Sequence, residues 1–508
     1  MHKIFNLDYY SSIYKMNDDD VLKSFIKLND HKYLREQDDS IDHEYRDLYL
    51  LVESLKEKSS VEKRNGYFLG YRLESKIDEE FDLLRFSEDS ILNIELKLEV
   101  PRAGKEKVED QLRRHKFILS TLNKTIYSYV YITSENMIYK LDEHNSLVKS
   151  SFEELVHYIS NDYLDNNELE KIDVNRFIVS PYSNPQAFIN HSYYLSQDQR
   201  DKKLEIMNST KQRICIEGEA GTGKTLLLYD IAKELNNQGY KVLMLFCGNL
   251  ENYQQLTKKF EFQVKPIRLY KSYIEEYDVI MVDEAQRIYP TQLKKILEYQ
   301  DKKIYFAFDY RQVLSAEERY RKIFEDYRKN TEFKFIKLRN KIRTNHETIA
   351  FIEKLLKTNV RNHHDYDYKN VNVSYFDSKE TSRDYIENLY NNGYIIIELT
   401  EYITKTSGKI KRGNVQRGSL QVHEVIGREY DNIVIILDSH YYYDDEGYLC
   451  SNYNEYYPYL EAESIYQALT RAKGKIFLII IDNPDVYINV QSICTRKLDK
   501  KLSPPYLK

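Results

Sequence analysis

Eight consecutive residues, Gly218-Glu219-Ala220-Gly221-Thr222-Gly223-Lys224-Thr225, have the types and spacing to hold a run of phosphates. Glycines let the backbone curl so that successive N–H groups, and the start of a following helix, point at anionic oxygens. Lys224 would reach the β- and γ-phosphates of a nucleotide, and the Thr225 hydroxyl would ligate Mg2+. Farther along, Asp283-Glu284-Ala285-Gln286 closes an apolar run. There Asp283 would hold Mg2+ through its water shell, and Glu284 would orient and deprotonate the attacking water. Gly218, Gly221, Gly223, Lys224, Thr225 and Asp283 together imply a site for ATP or GTP with Mg2+.

A second group lies in the first third of the chain. Glu95 and Lys97 stand two apart in a strand-like run, so both leave the same sheet face. Asp82 begins the preceding strand-like run and can meet them across the ladder. Two carboxylates with a lysine suit metal-assisted phosphodiester hydrolysis: Asp82 and Glu95 would hold Mg2+, and Lys97 would position or activate water or offset developing charge. In the helical pattern over residues 105–122, Val108, Gln111, His115, Ile118 and Leu122 share one stripe. That brings Gln111 and His115 to the buried side, with Arg113, Arg114 and Lys116 as a basic flank suited to a nucleic-acid backbone.

Elements able to carry these residues are readable around them. Residues 42–57 have helical periodicity, residues 66–74, 81–86 and 91–97 read as strands, and residues 127–133 would close the sheet. A short helical piece over 152–159 and the composition of Ser180-Pro181-Tyr182-Ser183-Asn184-Pro185 suggest a joint. Apolar runs at 241–247, 277–283 and 303–308 read as buried parallel strands.

Asp82 with Glu95-x-Lys97 resembles the PD-(D/E)xK nuclease superfamily, and Gln111-x-x-x-His115 looks like the Q-x-x-x-Y element of its RecB-type members, with His for Tyr. Residues 190–490 resemble superfamily 1 helicases of the UvrD/RecB kind. Leu195-Ser196-x-x-Gln199 is similar to their adenine-reading motif, which would favour ATP. Gly248-Asn249-Leu250 matches in place the motif that touches single-stranded DNA, and Gln286 would contact the γ-phosphate. Asp309-x-x-Gln312 resembles the motif whose Gln senses that phosphate, with Phe308 in place of the usual Gly. Ile342-Arg343-Thr344 resembles the motif presenting an arginine to the nucleotide. Residues 421–431 look like the motif in which Gly427 and Glu429 approach phosphate and ribose and His423 lies near DNA. Ala468-Leu469-Thr470-Arg471-Ala472 resembles the last motif, where Arg471 would spread transition-state charge. Only about thirty residues separate Asn249 from Asp283, and about seventy-five separate Asn345 from Gln421. By that spacing the accessory inserts of UvrD-type enzymes are reduced or missing.

The chain has 508 residues, enough for two to four domains. Its formal charge of −6 gives no global pull toward nucleic acid, so basic stretches such as Lys409-Ile410-Lys411-Arg412 would have to act locally. The four cysteines are scattered, without C-x-x-C spacing, which favours a reducing setting over zinc or disulfides. No leader-like or membrane-length apolar run occurs, so a cytoplasmic protein without membrane contact is expected. The expected class is α/β: a restriction-endonuclease-like mixed sheet over residues 1–165, a linker over 166–189, and two RecA-like parallel-sheet lobes over 190–330 and 331–508. The function these resemblances imply is an ATP- and Mg2+-dependent DNA helicase or translocase fused to a nuclease, similar to nuclease–helicase anti-phage defence proteins. Two alternatives are a repair translocase whose first domain binds DNA without cutting, and a nucleotide-driven switch acting on a protein partner.

Overall fold

The computed structural model describes residues 4–29, 43–73, 79–100, 104–172, 180–189, 193–248, 250, 253–315, 318, 323–339, 346–360, 366–403, 410–412, 414–452 and 459–502. Arg343, Asn249, Ile342, Asn345 and Lys409 lie outside them. The chain divides into two units, Met1–Phe177 and Ile178–Lys508.

The first unit is a six-stranded mixed sheet in sequence order: β1 (Tyr67–Arg72), β2 (Glu80–Phe86), β3 (Ser90–Lys97), β4 (Thr125–Ile132), β5 (Met137–Leu141) and β6 (Leu147–Ser150). All neighbours are antiparallel except β3 and β4. A parallel pair needs a crossover, and the helix Lys105–Leu119 supplies it. Alternation along the strands divides the core. Leu92, Ile94, Leu96, Tyr129 and Tyr131 pack on one face with Leu48, Leu51, Val52 and Leu55 of the helix His43–Lys56. Val130 and Ile132 pack on the other face with Val108 and Leu112 of the crossover helix. Asn93, Glu95 and Lys97 thereby turn toward that helix.

The second unit holds two parallel sheets. The first contains β7 (Arg213–Gly218), β8 (Val242–Phe246), β9 (Gln263–Pro266), β10 (Val279–Asp283), β11 (Lys303–Phe308) and β12 (Phe333–Leu338), in the order β12-β7-β11-β10-β8-β9. Val279, Ile280, Met281 and Val282 are fully buried, as expected of strands covered on both faces; each such side chain contributes about 1.5–3 kcal/mol relative to exposure. β12 pairs in parallel with β7, so the first lobe extends past residue 330, where sequence patterning ended it, to Leu338. β12 ends at Leu338, and the next described helix is His346–Leu356.

The second sheet uses β13 (Val371–Phe376), β14 (Ile395–Glu398), β17 (Leu420–Gln421), β18 (Tyr430–Leu437) and β21 (Ala472–Ile481), in the order β13-β21-β18-β14-β17. Two small ribbons, β15 (Tyr402–Ile403) with β16 (Ile410–Arg412) and β19 (Tyr441–Tyr443) with β20 (Leu449–Ser451), decorate it. Ile216, Phe246 and Leu250 of the first lobe share one apolar cluster with Ile426, Ile433 and Leu469 of the second. The stretch 166–189, expected as linker, contributes buried Leu169, Tyr182 and Phe188. Among the described residues, no helix is long and apolar enough to cross a membrane.

Candidate functional site

β7 ends at Gly218, and the chain loops back to start the helix Lys224–Asn237. Gly221 and Gly223 have φ of 80° and 78°, where a side chain is strained. Gly218 is required for another reason: a Cβ there would stand 2.5 Å from Thr222 Oγ1 and 3.2 Å from Leu338 Cβ. Lys224 Nζ donates to Glu219 O at 2.9 Å and lies 3.9 Å from Asp309 Oδ2.

β11 lies between β7 and β10, which brings the phosphate loop, Asp309 and the Asp283–Glu284 pair to the same end of one sheet. Asp283 is 1% exposed and bonds the Thr225 hydroxyl. Burial, then the adjacent Glu284 charge, pushes its carboxyl up to about 6. Burial likewise raises Asp309. Glu284 has φ 54°, an uncommon conformation for a non-glycine residue, at the point where β10 ends. Gln286, expected at the γ-phosphate, has its amide engaged within the protein. Its Nε2 donates to Glu284 Oε2 at 2.7 Å, and its Oε1 accepts from Asp309 N at 3.1 Å. It ties the acid strand to β11.

Two buried polar atoms here have no hydrogen-bond partner: Asp309 Oδ2 and Gln312 Nε2. Leaving a buried polar atom without a hydrogen-bond partner costs about 1–3 kcal/mol, and a bound ligand is one way to satisfy it. A carboxylate paired with a threonine hydroxyl, beside an arc of glycine N–H groups and a lysine, fits Mg2+ with a nucleotide triphosphate.

Gln199, expected to read adenine, has its amide hydrogen-bonded within the protein. It is 1% exposed, its Oε1 accepts from Ser196 N at 2.9 Å in a capping box, and its Nε2 donates to Thr222 O and Gly223 O at 3.3 and 3.2 Å. The side chain braces the phosphate loop.

In the second lobe, Arg471 is 4% exposed, and its Nε donates to Gln467 O at 3.2 Å and its Nη1 to Arg428 O at 3.5 Å. Gly427 has φ 73°, and a Cβ there would meet Phe246 Cζ at 3.0 Å and Tyr182 Cδ2 at 3.3 Å. Its glycine therefore serves close packing between the lobes. Glu429 lines a cavity of about 330 Å3 with Tyr182, Phe246, Leu250, Arg428 and Tyr430. His423 bonds Thr400 Oγ1 through Nδ1. Sequence reasoning passed over Arg311, whose guanidinium pairs with Glu219 at 3.1 Å and lies 4.9 Å from the Tyr466 ring centroid of the other lobe. Its place inside Asp309-x-x-Gln312 was the available signal.

Residues 211–400 match the family model described as Schlafen group 3, DNA/RNA helicase domain. The match runs from just before β7, the strand that leads into the phosphate loop, through β14. Solved Pif1 helicases align with part of the chain. For the crystal structure of the Candida albicans protein, identity is 13%, the TM-score 0.33, and 60% of this chain aligns with 99% of that one. For unliganded Pif1 from Bacteroides sp the values are 11%, 0.30, 60% and 97%. No curated protein matches the chain.

In the first unit, the structure brings Asp82, Glu95, Lys97, Gln111 and His115 together. Lys97 Nζ lies 3.5 Å from both Asp82 Oδ2 and Glu95 Oε2, and Asp82 also accepts from Leu96 N at 2.8 Å. Glu95 is fully buried; Gln111 Nε2 donates to its Oε2 at 2.7 Å and His115 Nδ1 lies 3.0 Å from its Oε1. Burial, then the Glu95 charge, drives the Asp82 carboxyl well above its ordinary range. Burial alone would raise Glu95 too, but His115 and Lys97 hold it low. His115 is raised: burial opposes its charge, and Glu95 and Glu79 outweigh burial.

Carboxylate oxygens of Glu44, Glu80 and Asp82 lie within 4.8 Å of one another, a donor set suited to a hard cation. Glu53, on the same helix as Glu44, pairs with Lys15 and Lys56. The basic flank is largely neutralised within the protein, Arg113 by Glu109 at 2.5 Å and Arg114 by Glu79 at 2.9 Å.

Proposed function

We propose that the chain is an ATP-driven DNA helicase or translocase whose first unit is an Mg2+-dependent nuclease. The observation that carries the motor reading is the helicase-type match over residues 211–400, laid on a sheet end where Lys224, Thr225, Asp283, Glu284, Asp309 and Gln312 converge. Bound Mg2+–ATP would supply the scissile phosphoanhydride. Thr225 and Asp283 would hold the metal, Lys224 and the loop N–H groups the phosphates, and Glu284 the proton of the attacking water. Gln312, with an unpaired buried donor, would report the terminal phosphate to the rest of the lobe. Arg471, and Arg343 by sequence, would add positive charge from the second lobe.

The nuclease reading is supported by Asp82, Glu95 and Lys97 sharing one sheet face with Gln111, and by the Glu44–Glu80–Asp82 carboxylates. Asp82 and Glu95 would hold the metal, with Lys97 beside the attacked phosphate. Defence against foreign DNA is the setting that the nuclease–helicase resemblance suggests. A second reading, in which the first unit binds without cutting, is favoured by the complete burial of Glu95 between Gln111 and His115.

Incubation of the full chain with linear, nicked and single-stranded DNA separates these readings. Cutting that requires Mg2+ and is lost in Asp82→Asn and Lys97→Ala, while ATP hydrolysis persists, supports the nuclease. Intact DNA under Mg2+ and Mn2+ with retained binding supports the second reading. ATP-dependent displacement of streptavidin from biotinylated single strands tests the motor; no displacement in either direction counts against translocation.

A further inference from the structure

The segment Ser180–Ser183, whose composition reads as linker, is packed between elements of both lobes. Tyr182 is 7% exposed and Ser180 3%. The Tyr182 ring lies 4.6 Å from Phe246 at the end of β8 and 5.3 Å from Tyr229 on the helix after the phosphate loop. Its hydroxyl donates to Asp283 Oδ2 at 3.0 Å. On the other side, Ser180 Oγ donates to Gly427 O at 3.2 Å, and Ser183 Oγ accepts from Glu429 N at 3.2 Å. Gly427 leaves just enough room: a Cβ would stand 3.3 Å from Tyr182 Cδ2.

We propose that Tyr182 is a positioning residue for the metal-holding acid, clasped to the second lobe by Ser180 and Ser183, so that the seat of that lobe and metal retention at Asp283 are coupled. This rests on the reading of Asp283 as the acid of an Mg2+–nucleotide site. Asp283 Oδ1 accepts from Glu284 N at 2.9 Å, which restrains one oxygen. The Tyr182 hydroxyl restrains the other, on a carboxylate that also bonds the Thr225 hydroxyl. Supporting groups of this kind fix the orientation of the residues that hold a metal, and their loss typically weakens metal retention 10–100-fold. The serine bonds end on the backbone of Gly427 and Glu429, so displacement of that loop pulls on the chain that carries the phenol. Tyrosine is suited to the post because one ring, packed against Phe246 and Tyr229, supplies apolar anchorage and a directed donor together.

The test is fluorescence binding of an N-methylanthraniloyl-ATP probe to the full chain across a Mg2+ titration, read alongside melting temperature. Tyr182→Phe keeps the ring and removes the hydroxyl. We expect the Mg2+ concentration for half-maximal binding to rise about tenfold, with probe binding in EDTA and the melting temperature close to those of the parent. Ser180→Ala/Ser183→Ala should move the Mg2+ requirement in the same direction by a smaller factor.

A parent-like or lowered Mg2+ requirement in Tyr182→Phe overturns the positioning role. A parent-like requirement in the double serine variant overturns the coupling to the second lobe. Equal weakening with and without Mg2+ in Tyr182→Phe assigns the tyrosine to packing alone and also overturns the positioning role. If the parent chain binds no probe, or binds it equally well after Lys224→Ala, the nucleotide-site reading itself fails and the proposal falls with it.

Discussion

His423 illustrates how one side chain can carry a pH signature. Burial, with the Arg287 charge adding to it, pushes its imidazole down to about 4. In the unfolded chain it titrates near 6.5. Between these values the unfolded state binds a proton that the folded state refuses, so stability falls as the pH drops from about 6.5 toward 4. The slope attributable to one such group is at most about 1.4 kcal/mol per pH unit. His423→Gln should flatten this part of the urea-unfolding profile between pH 7 and 4.5; parallel profiles for parent and variant would count against a neutral buried imidazole. His423 itself was legible only as a member of a motif, because its Thr400 and Tyr459 neighbours come from other parts of the second lobe. Tyr182 was less legible still. A tyrosine within Ser-Pro-Tyr-Ser reads as linker until the fold sets Asp283 against it.

At the level of elements, the helix Gln197–Met207 and the phosphate loop form one unit through Gln199. Gln199→Leu removes the capping box and the two bonds to Thr222 O and Gly223 O. A lost cap costs about 0.5–2 kcal/mol. We expect ATP and GTP binding to weaken by similar factors, measured by competition against a fluorescent nucleotide. Loss of ATP affinity alone would restore the adenine-reading role that sequence implied.

Elements were legible where their patterning is local. The apolar runs that became β8, β10 and β11, and the stripe Val108, His115, Ile118 of the crossover helix, follow from single-segment periodicity. The membership of β12 was not legible: Phe333–Leu338 joins the first lobe only because it pairs with β7, more than a hundred residues earlier. The internal bonds of the Gln199 and Gln286 amides escaped for the same reason, since rotamer and partner are tertiary properties. Motif residues Lys224, Asp283, Asp309 and Gln312 were legible, because their spacing encodes which strand ends must meet.

For the whole molecule, the organising fact is a chain of two units, the second built from two parallel sheets with a helicase-type match beginning at residue 211. With a net charge of −6, attraction to nucleic acid cannot come from the global field, and binding must depend on local contacts. Any stimulation by DNA should therefore weaken as salt rises, through release of counterions from the phosphates. Steady-state phosphate release from ATP, with and without single-stranded DNA at low salt, bears most directly on the motor. Turnover should rise roughly tenfold or more with DNA, and fall about 100-fold or more in Lys224→Ala under the same conditions. Turnover that is absent, or that responds neither to DNA nor to Lys224→Ala, would contradict it.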